Sequence, residues 1–76
     1  MRLYYSDILS ARRACAAVRY LNAPVEYVYL DLVKGDQQKP DYLAINPNGK
    51  VPTLVKGERI TWESDAVICQ LSEDMG

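Results

Sequence analysis

The sequence contains no histidine, and it has only two cysteines among its 76 residues. The lack of histidine excludes imidazole acid–base catalysis, Ser-His-Asp triads and metal sites that use histidine. Cys15 and Cys69 stand far apart and form no CxxC motif, so we expect no metal centre. A disulfide between them is possible, but for a reducing compartment we predict two free thiols that face the core.

An excess of charge of one sign and a long apolar run are also lacking. The formal net charge is -1, with 9 basic and 10 acidic residues interspersed. This leaves no basic footprint for nucleic acid and no polybasic patch for a membrane surface. No apolar run approaches the roughly 18 residues of a membrane span, and the first residues are too polar-flanked for a signal peptide. We therefore expect a cytoplasmic protein with neither a nucleic-acid nor a membrane partner.

What the sequence does contain is the composition of one small globular domain. Hydrophobic residues make up 49% and charged residues 25% of the chain, which argues against disorder. A chain of 76 residues can form a thin core without disulfides or metals. We treat residues 1–76 as a single domain.

The first half of the chain predicts a strand–helix–strand unit. Residues 2–5 are short and β-prone, and residues 25–31 are rich in valine and tyrosine, which predicts a strand for each. Between them, apolar residues recur at helical spacing over residues 11–21, with Ser10 in the N-cap position and residues 22–24 as a stop. Such a crossover implies that the two strands pair in parallel, with the helix on one face of the sheet.

The second half predicts short helical turns, a hairpin and a final helix. Residues 35–44 carry a weak helical signal, which Pro40 limits to one or two irregular turns. Residues 53–55 and 59–62 flank a glycine-containing turn and predict an antiparallel hairpin, and residues 64–75 have helical periodicity. The order βαβ, irregular α, ββα predicts an α/β domain with a mixed four-stranded sheet and helices on its faces.

A dense run of turn residues, Asn46-Pro47-Asn48-Gly49-Lys50, separates the two halves and leads into Val51-Pro52-Thr53-Leu54. Pro52 has no N–H and restricts Val51 to extended geometry, which we expect to leave the Val51 N–H and C=O free. We also expect the helices that open at Ser10 and Ser64 to begin near this edge, where free N–H groups favour anions. Helix capping alone explains Ser10 or Ser64 taken separately. Two helix N-termini beside the free main chain of Val51, however, together suit a short acidic peptide as ligand.

Two motifs at this edge resemble a known family. The turn and the strand that follows match the pattern NPxGxVPxL, and Glu63-Ser64-Asp65-Ala66-Val67-Ile68 matches the pattern ESxAI. As an ordered pair they resemble the N-terminal, thioredoxin-like domain of cytosolic glutathione transferases, and the resemblance covers the whole chain. It implies a cis peptide bond before Pro52. It also implies a transferase that uses glutathione as co-substrate with a small electrophile and no metal.

The resemblance assigns the peptide-binding residues. The backbone of Val51, beside Pro52, would pair with the cysteinyl part of glutathione as an added strand. Glu63 and Ser64 would hold the γ-glutamyl end. Lys50 would meet the glycyl carboxylate.

The remaining candidates are a second lysine and two hydroxyl groups. Lys34 is a looser candidate for the glycyl carboxylate. For an isolated lysine, whether Lys34 or Lys50, the preferred explanation is a solvated surface side chain. Ser10 stands where several classes place a serine or cysteine, and its hydroxyl would stabilise the thiolate. Tyr5 aligns with the catalytic tyrosine of other classes. We prefer Ser10, because packing against neighbouring aromatic residues explains Tyr5.

Several functions remain open at this point. Family members continue into an all-helical domain that forms most of the electrophile pocket and much of the homodimer contact. We expect this chain to be a fragment of such a protein, with low or no activity alone. The alternative is a non-catalytic thioredoxin-like module for interaction and assembly. A glutaredoxin-like oxidoreductase is disfavoured, because Ser10 stands where the redox thiol would be needed.

The chain departs from the family pattern in the loop before the first helix. Family members with a serine or cysteine at the Ser10 position usually have proline or glycine in that loop, whereas this chain has Asp7-Ile8-Leu9.

Overall fold

The computed structural model describes the main chain of residues 1–75 and the side chains of residues 1–63 and 66–73. Its elements are β1 (Arg2–Tyr5), α1 (Leu9–Leu21), β2 (Glu26–Tyr29), a 3-10 turn (Asp36–Gln38), α2 (Pro40–Leu43), β3 (Thr53–Lys56), β4 (Arg59–Trp62) and α3 (Ser64–Met75). The predicted order of elements is confirmed. None of the helices described here has the length and apolar character needed to cross a membrane.

The four strands form one mixed sheet in the order β2-β1-β3-β4. β2 runs parallel to β1, as the α1 crossover requires. β3 runs antiparallel to β1 and to β4, and the tight β3–β4 turn contains Gly57 with a φ of 60°. β1 is therefore central, and its carboxyl end shares one edge of the sheet with the amino end of β3. α1 begins at this same edge.

Helices cover both faces of the sheet, which makes three layers. On one face Leu3 and Leu54 are opposite each other in the β1–β3 register and belong to a buried cluster. The helical members of that cluster are Ala14, Val18, Val67 and Leu71. On the other face Tyr4 makes a T-shaped contact with Tyr42 of α2, with ring centroids 5.3 Å apart. Successive strand residues face opposite sides, so β1 contributes to both layers.

α1 begins two residues before the predicted start at residue 11, and Ser10 is not its N-cap. The N-cap is Ile8, which is extended (φ −127°, ψ 157°) and whose carbonyl oxygen accepts the Arg12 N–H at 2.9 Å. No side chain caps this end of α1. The prediction was wrong because serine is a favoured cap, whereas isoleucine has no side-chain acceptor to signal the position. Ser10 lies instead within the first helical turn.

The cysteines also differ from the prediction in one respect. Both are free thiols, and Cys15 is half-buried against the cluster that joins α1 and α3. Cys69, however, is exposed. The buried residues of α3, Val67 and Leu71, are four positions apart on one face, and Cys69 lies between them on the opposite side. The prediction that both thiols face the core is therefore wrong for Cys69.

Candidate functional site

A cavity of about 460 Å³ opens at the sheet edge where β1 ends and β3 begins. It is lined by Ser10, Asn48, Lys50, Val51, Pro52, Trp62 and Glu63. The structure thus brings together the start of α1, the turn before β3 and the connection from β4 to α3. Most of the residues that the sequence singled out line this one cavity.

Val51 offers its main chain to the cavity. The residue as a whole is only 7% exposed, and its side chain packs in a buried cluster with Tyr4 and Tyr42, which fixes it in the core. Within the described part of the chain, neither the N–H nor the C=O of Val51 makes a hydrogen bond. The peptide bond from Val51 to Pro52 is cis, and β3 begins only at Thr53. The unpaired main chain of Val51 is available to an extended ligand.

A buried hydrogen-bond network fixes the chain immediately before Val51. The carbonyl oxygen of Lys50 accepts hydrogen bonds from the Tyr42 hydroxyl and, at 3.1 Å, from Nδ2 of Asn46. Oγ1 of Thr53 lies 2.7 Å from the Tyr42 hydroxyl oxygen and accepts from Nδ2 of Asn46 at 3.1 Å. Asn46 and Thr53 are completely buried. A buried polar network whose members satisfy one another specifies one backbone geometry.

The turn before Lys50 depends on Asn46 and on a glycine. Oδ1 of Asn46 accepts the Asn48 N–H at 3.0 Å, and the Asn46 carbonyl accepts the Gly49 N–H at 2.9 Å. Gly49 has a φ of 63°, and a Cβ added there would lie 3.1 Å from the Gln37 carbonyl oxygen. Only glycine combines this conformation with this close approach. The turn therefore sets where Lys50 and Val51 enter the cavity.

Two helix N-termini open on the cavity. Ser10 lies in the first turn of α1, where no acidic residue offsets the helix dipole. Glu63 occupies the N-cap position of α3, since its carbonyl oxygen accepts the Val67 N–H at 3.0 Å. Glu63 also has a φ of 73°, a left-handed conformation that costs a non-glycine residue on the order of 1 kcal/mol. The free N–H groups at both helix starts favour an anionic ligand.

The charged side chains at the cavity have opposite signs, because Lys50 and Glu63 line it together. The site can therefore receive a carboxylate at Lys50 and a helix N-terminus, and an ammonium group at Glu63. Among the residues with described side chains, no group of three or more acidic or cysteine residues is placed to hold a metal ion.

Three predicted site residues are not among the side chains that line this cavity. Tyr5 lines a second, separate cleft, where its ring contacts Tyr27 and Tyr29. Lys34 is exposed in the loop after β2. Ser64 begins α3, but its side chain lies outside the described residues.

The structure adds residues that the sequence interpretation did not assign to the site. Trp62 is 41% exposed, lies opposite Thr53 in the β3–β4 ladder and lines the cavity with Asn48. Asn46 and Thr53 lie within the turn motif, so the motif itself could have indicated that they belong to the site. Tyr42 comes from a weakly helical segment, and only its contact through space connects it to the site.

A parallel βαβ unit, a short helix on the opposite face and an antiparallel ββα unit define a thioredoxin-like α/β domain, with its site at the start of β3. The family model for the glutathione S-transferase N-terminal domain matches residues 3–75. The chain belongs to this family.

Individual relatives agree with this assignment. Glutathione S-transferase F10 of Arabidopsis thaliana is 37% identical over 73 residues, which are 96% of this chain and 34% of that protein. A glutathione transferase homologue from Sulfitobacter, solved with bound glutathione, has a TM-score of 0.89 at 31% identity, covering 97% of this chain and 36% of its own. Human glutathione transferase theta-2, solved with glutathione and an unknown ligand, has a TM-score of 0.91 at 32% identity. The match covers 96% of this chain and 30% of the human chain. The chain thus spans about a third of the length of these relatives.

Proposed function

We propose that this domain binds glutathione in the cavity and stabilises its thiolate for attack on a small electrophile. The observation that carries the proposal is the unpaired main chain of Val51, which shares one cavity with Ser10, Lys50 and Glu63. The similar structures that hold glutathione support the same conclusion.

The parts of the tripeptide match the parts of the site. The cysteinyl N–H and C=O pair with the main chain of Val51, next to Pro52, as an added strand. Glu63 accepts hydrogen bonds from the γ-glutamyl ammonium group, and the first N–H groups of α3 together with Ser64 receive its carboxylate. Lys50 pairs with the glycyl carboxylate at the other end.

Ser10 supplies the group that activates the thiol. Its hydroxyl donates a hydrogen bond to the sulfur anion, and the N-terminus of α1 adds a favourable field, so the thiol pKa falls below its usual value of about 8.5. The proton leaves to solvent. The thiolate then forms a bond to the electrophilic carbon, and the leaving group departs with its bonding electron pair. Tyr5 remains the alternative hydroxyl, although it lines the other cleft.

Calorimetric titration with glutathione tests the binding, using two matched substitutions. Lys50→Gln removes the charge at the cavity, and Lys34→Gln removes the same charge from an exposed loop. A partly exposed ion pair contributes up to about 1 kcal/mol, so we expect Lys50→Gln to raise the Kd about five-fold and Lys34→Gln to leave it unchanged. Equal effects would remove Lys50 from the site. A lack of saturable binding at millimolar glutathione would favour the non-catalytic module instead.

We further propose that residues 1–76 form the first domain of a longer cytoplasmic transferase, followed by an all-helical domain and assembled as a homodimer. The support is that relatives matched over nearly the whole chain are about three times longer. On this proposal the domain alone has low or no transferase activity. Reading the coding sequence beyond residue 76 tests it, because a helical domain should follow and a stop codon would contradict it.

A further inference from the structure

The peptide unit between Lys50 and Val51 connects the core to the first cavity, that of about 460 Å³. This peptide bond is trans, so the Lys50 C=O and the Val51 N–H lie in one plane and point in opposite directions. The C=O points to the Tyr42 hydroxyl and to Nδ2 of Asn46, from which it accepts hydrogen bonds. The Val51 N–H therefore points away from these buried donors, and Val51 lines the cavity.

Each side-chain proton of the buried network around this carbonyl can be assigned. Oδ1 of Asn46 accepts the Asn48 N–H, so both amide protons are on Nδ2, and they go to the Lys50 C=O and to Oγ1 of Thr53. The Lys50 C=O can only accept, so the single proton of the Tyr42 hydroxyl lies between these two oxygens. Oγ1 of Thr53 is 2.7 Å from the Tyr42 oxygen but 3.4 Å from the Lys50 oxygen, so Thr53 donates to Tyr42.

This assignment gives the network one direction. Nδ2 of Asn46 donates to Thr53, Thr53 donates to Tyr42, and Tyr42 donates to the Lys50 C=O. A hydroxyl that accepts one hydrogen bond donates the next one more strongly, above all where water is excluded. Asn46 and Thr53 are completely buried, and Tyr42 is 4% exposed. Turning the Lys50 C=O away would leave buried donors without an acceptor, so the network holds this peptide unit in one orientation.

The orientation of this peptide unit affects one contact of the bound tripeptide. An N–H that already points at its acceptor avoids the cost of being ordered when the ligand binds. Tyr42 is not among the described residues that line the cavity, so its hydroxyl acts on the ligand only through the Lys50–Val51 peptide unit. The two ends of glutathione meet other groups, the Lys50 side chain and Glu63.

We propose that Tyr42 is a positioning residue for glutathione. Its hydroxyl, which accepts from Thr53, holds the Lys50 C=O in the core and so aims the Val51 N–H at the cysteinyl carbonyl of the ligand. This inference rests on the proposed function. It assigns the effect of Tyr42 to the cysteinyl carbonyl alone, and not to the γ-glutamyl or glycyl end.

Two ligands that differ at the cysteinyl carbonyl test this role, in amide chemical-shift titrations of the 76-residue protein. γ-Glutamylcysteamine keeps the γ-glutamyl group, the amide and the thiol of glutathione but lacks the cysteinyl carbonyl and the glycine. Tyr42→Phe should raise the Kd of glutathione about five-fold, which corresponds to one hydrogen bond, and change that of γ-glutamylcysteamine by less than about two-fold. The same factor for both ligands, or an unchanged Kd of glutathione, would overturn the proposal.

Matched substitutions separate positioning from a general loss of stability. Ala16→Gly destabilises α1 at an exposed position outside the cavity, and it should leave the Kd of glutathione unchanged. Thr53→Val removes the proton that Tyr42 accepts, whereas Thr53→Ser keeps it, so Thr53→Ser should bind glutathione more tightly than Thr53→Val. An effect of Ala16→Gly as large as that of Tyr42→Phe would contradict the positioning role. Equal Kd values for the two Thr53 variants would contradict the direction of the network.

Failure of the proposed function would give a different result. The natural protein would then show no saturable binding of glutathione, and both proposals would fall. Failure of the positioning role alone would leave the natural protein and Tyr42→Phe binding glutathione with the same Kd.

Discussion

The network around the Lys50 carbonyl predicts the effect of removing a single buried hydroxyl. Tyr42→Phe deletes hydrogen bonds to the Lys50 carbonyl and to Thr53 Oγ1, while the ring keeps its contact with Tyr4. Each bond contributes about 0.5–1.5 kcal/mol net. The Lys50 carbonyl and Thr53 both keep Asn46 Nδ2 as a donor, so no buried group loses every partner. We expect Tyr42→Phe to lower the free energy of unfolding by about 1–2 kcal/mol.

Thermal and urea unfolding measure this change, with Tyr20→Phe as the matched control. Tyr20 is 89% exposed, so the loss of its hydroxyl should not alter stability. For a domain of this size, 1 kcal/mol corresponds to about 4–8 °C in Tm, so Tyr42→Phe should lower Tm by roughly 4–16 °C. A fall in Tm of less than 1 °C, or an equal loss for Tyr20→Phe, would contradict a stabilising role for the Tyr42 hydroxyl.

The same hydroxyl predicts a dependence on alkaline pH. Burial raises the pKa of Tyr42 above its ordinary value of 10.0, although hydrogen bonds with Thr53 and Asn46 oppose this effect. The pKa of Tyr42 is therefore higher in the folded state than in the unfolded state. The contribution of the Tyr42 hydroxyl to folding stability is complete below about pH 10 and is lost as the pH rises through the folded-state pKa. The stability difference between the natural protein and Tyr42→Phe should narrow above pH 10. A constant difference through this range would contradict the assignment.

Three further substitutions test other parts of the molecule. Gly49→Ala forces an alanine to a φ of 63° and places its Cβ 3.1 Å from the Gln37 carbonyl oxygen. The free energy of unfolding, measured in urea, should therefore fall by about 1–3 kcal/mol. An unchanged unfolding midpoint would contradict the close approach. Ser10→Ala should reduce the thiolate ultraviolet absorbance of bound glutathione at neutral pH, whereas Tyr5→Phe should not; the opposite pattern would exchange their roles. The hydrogen bond from Lys39 lowers the pKa of Asp36 below 3.8, and the hydrogen bond from the Asp31 N–H adds to this effect. The Asp36 carboxylate should therefore stabilise the fold above about pH 4, and this contribution should be lost as the pH falls through the folded-state pKa. Asp36→Asn should lack this acid loss in urea unfolding measured from pH 6 to pH 2, and an identical acid profile would contradict it.

The fold followed from the sequence because its local signals agree with one another. Strand propensity, helical periodicity and the glycine of the β3–β4 turn each specify a short segment. Together they predict the order of elements, the parallel β1–β2 pair and the antiparallel β3–β4 hairpin. The error at α1 was local. The main-chain conformation of Ile8 sets the N-cap, and an isoleucine side chain gives no sign of that conformation.

The site was only partly predictable, because it is assembled from residues distant in sequence. The family resemblance predicted Lys50, Val51 and Glu63 because they lie within its two motifs, and all three line the first cavity. Tyr42 and Trp62 carry no such signal, because their roles depend on the β3–β4 register and on the packing of α2 against the sheet. The exposure of Cys69 likewise depends on which face of α3 is buried.

The central claim is that the main chain of Val51 receives glutathione, and amide hydrogen exchange at this residue tests it most directly. Without ligand, the unpaired Val51 N–H should exchange rapidly, since it has no hydrogen-bond acceptor among the described residues. Saturating glutathione should slow that exchange strongly while leaving Gly57, in the remote β3–β4 turn, unchanged. Saturable binding of glutathione with unaltered exchange at Val51 would contradict the account.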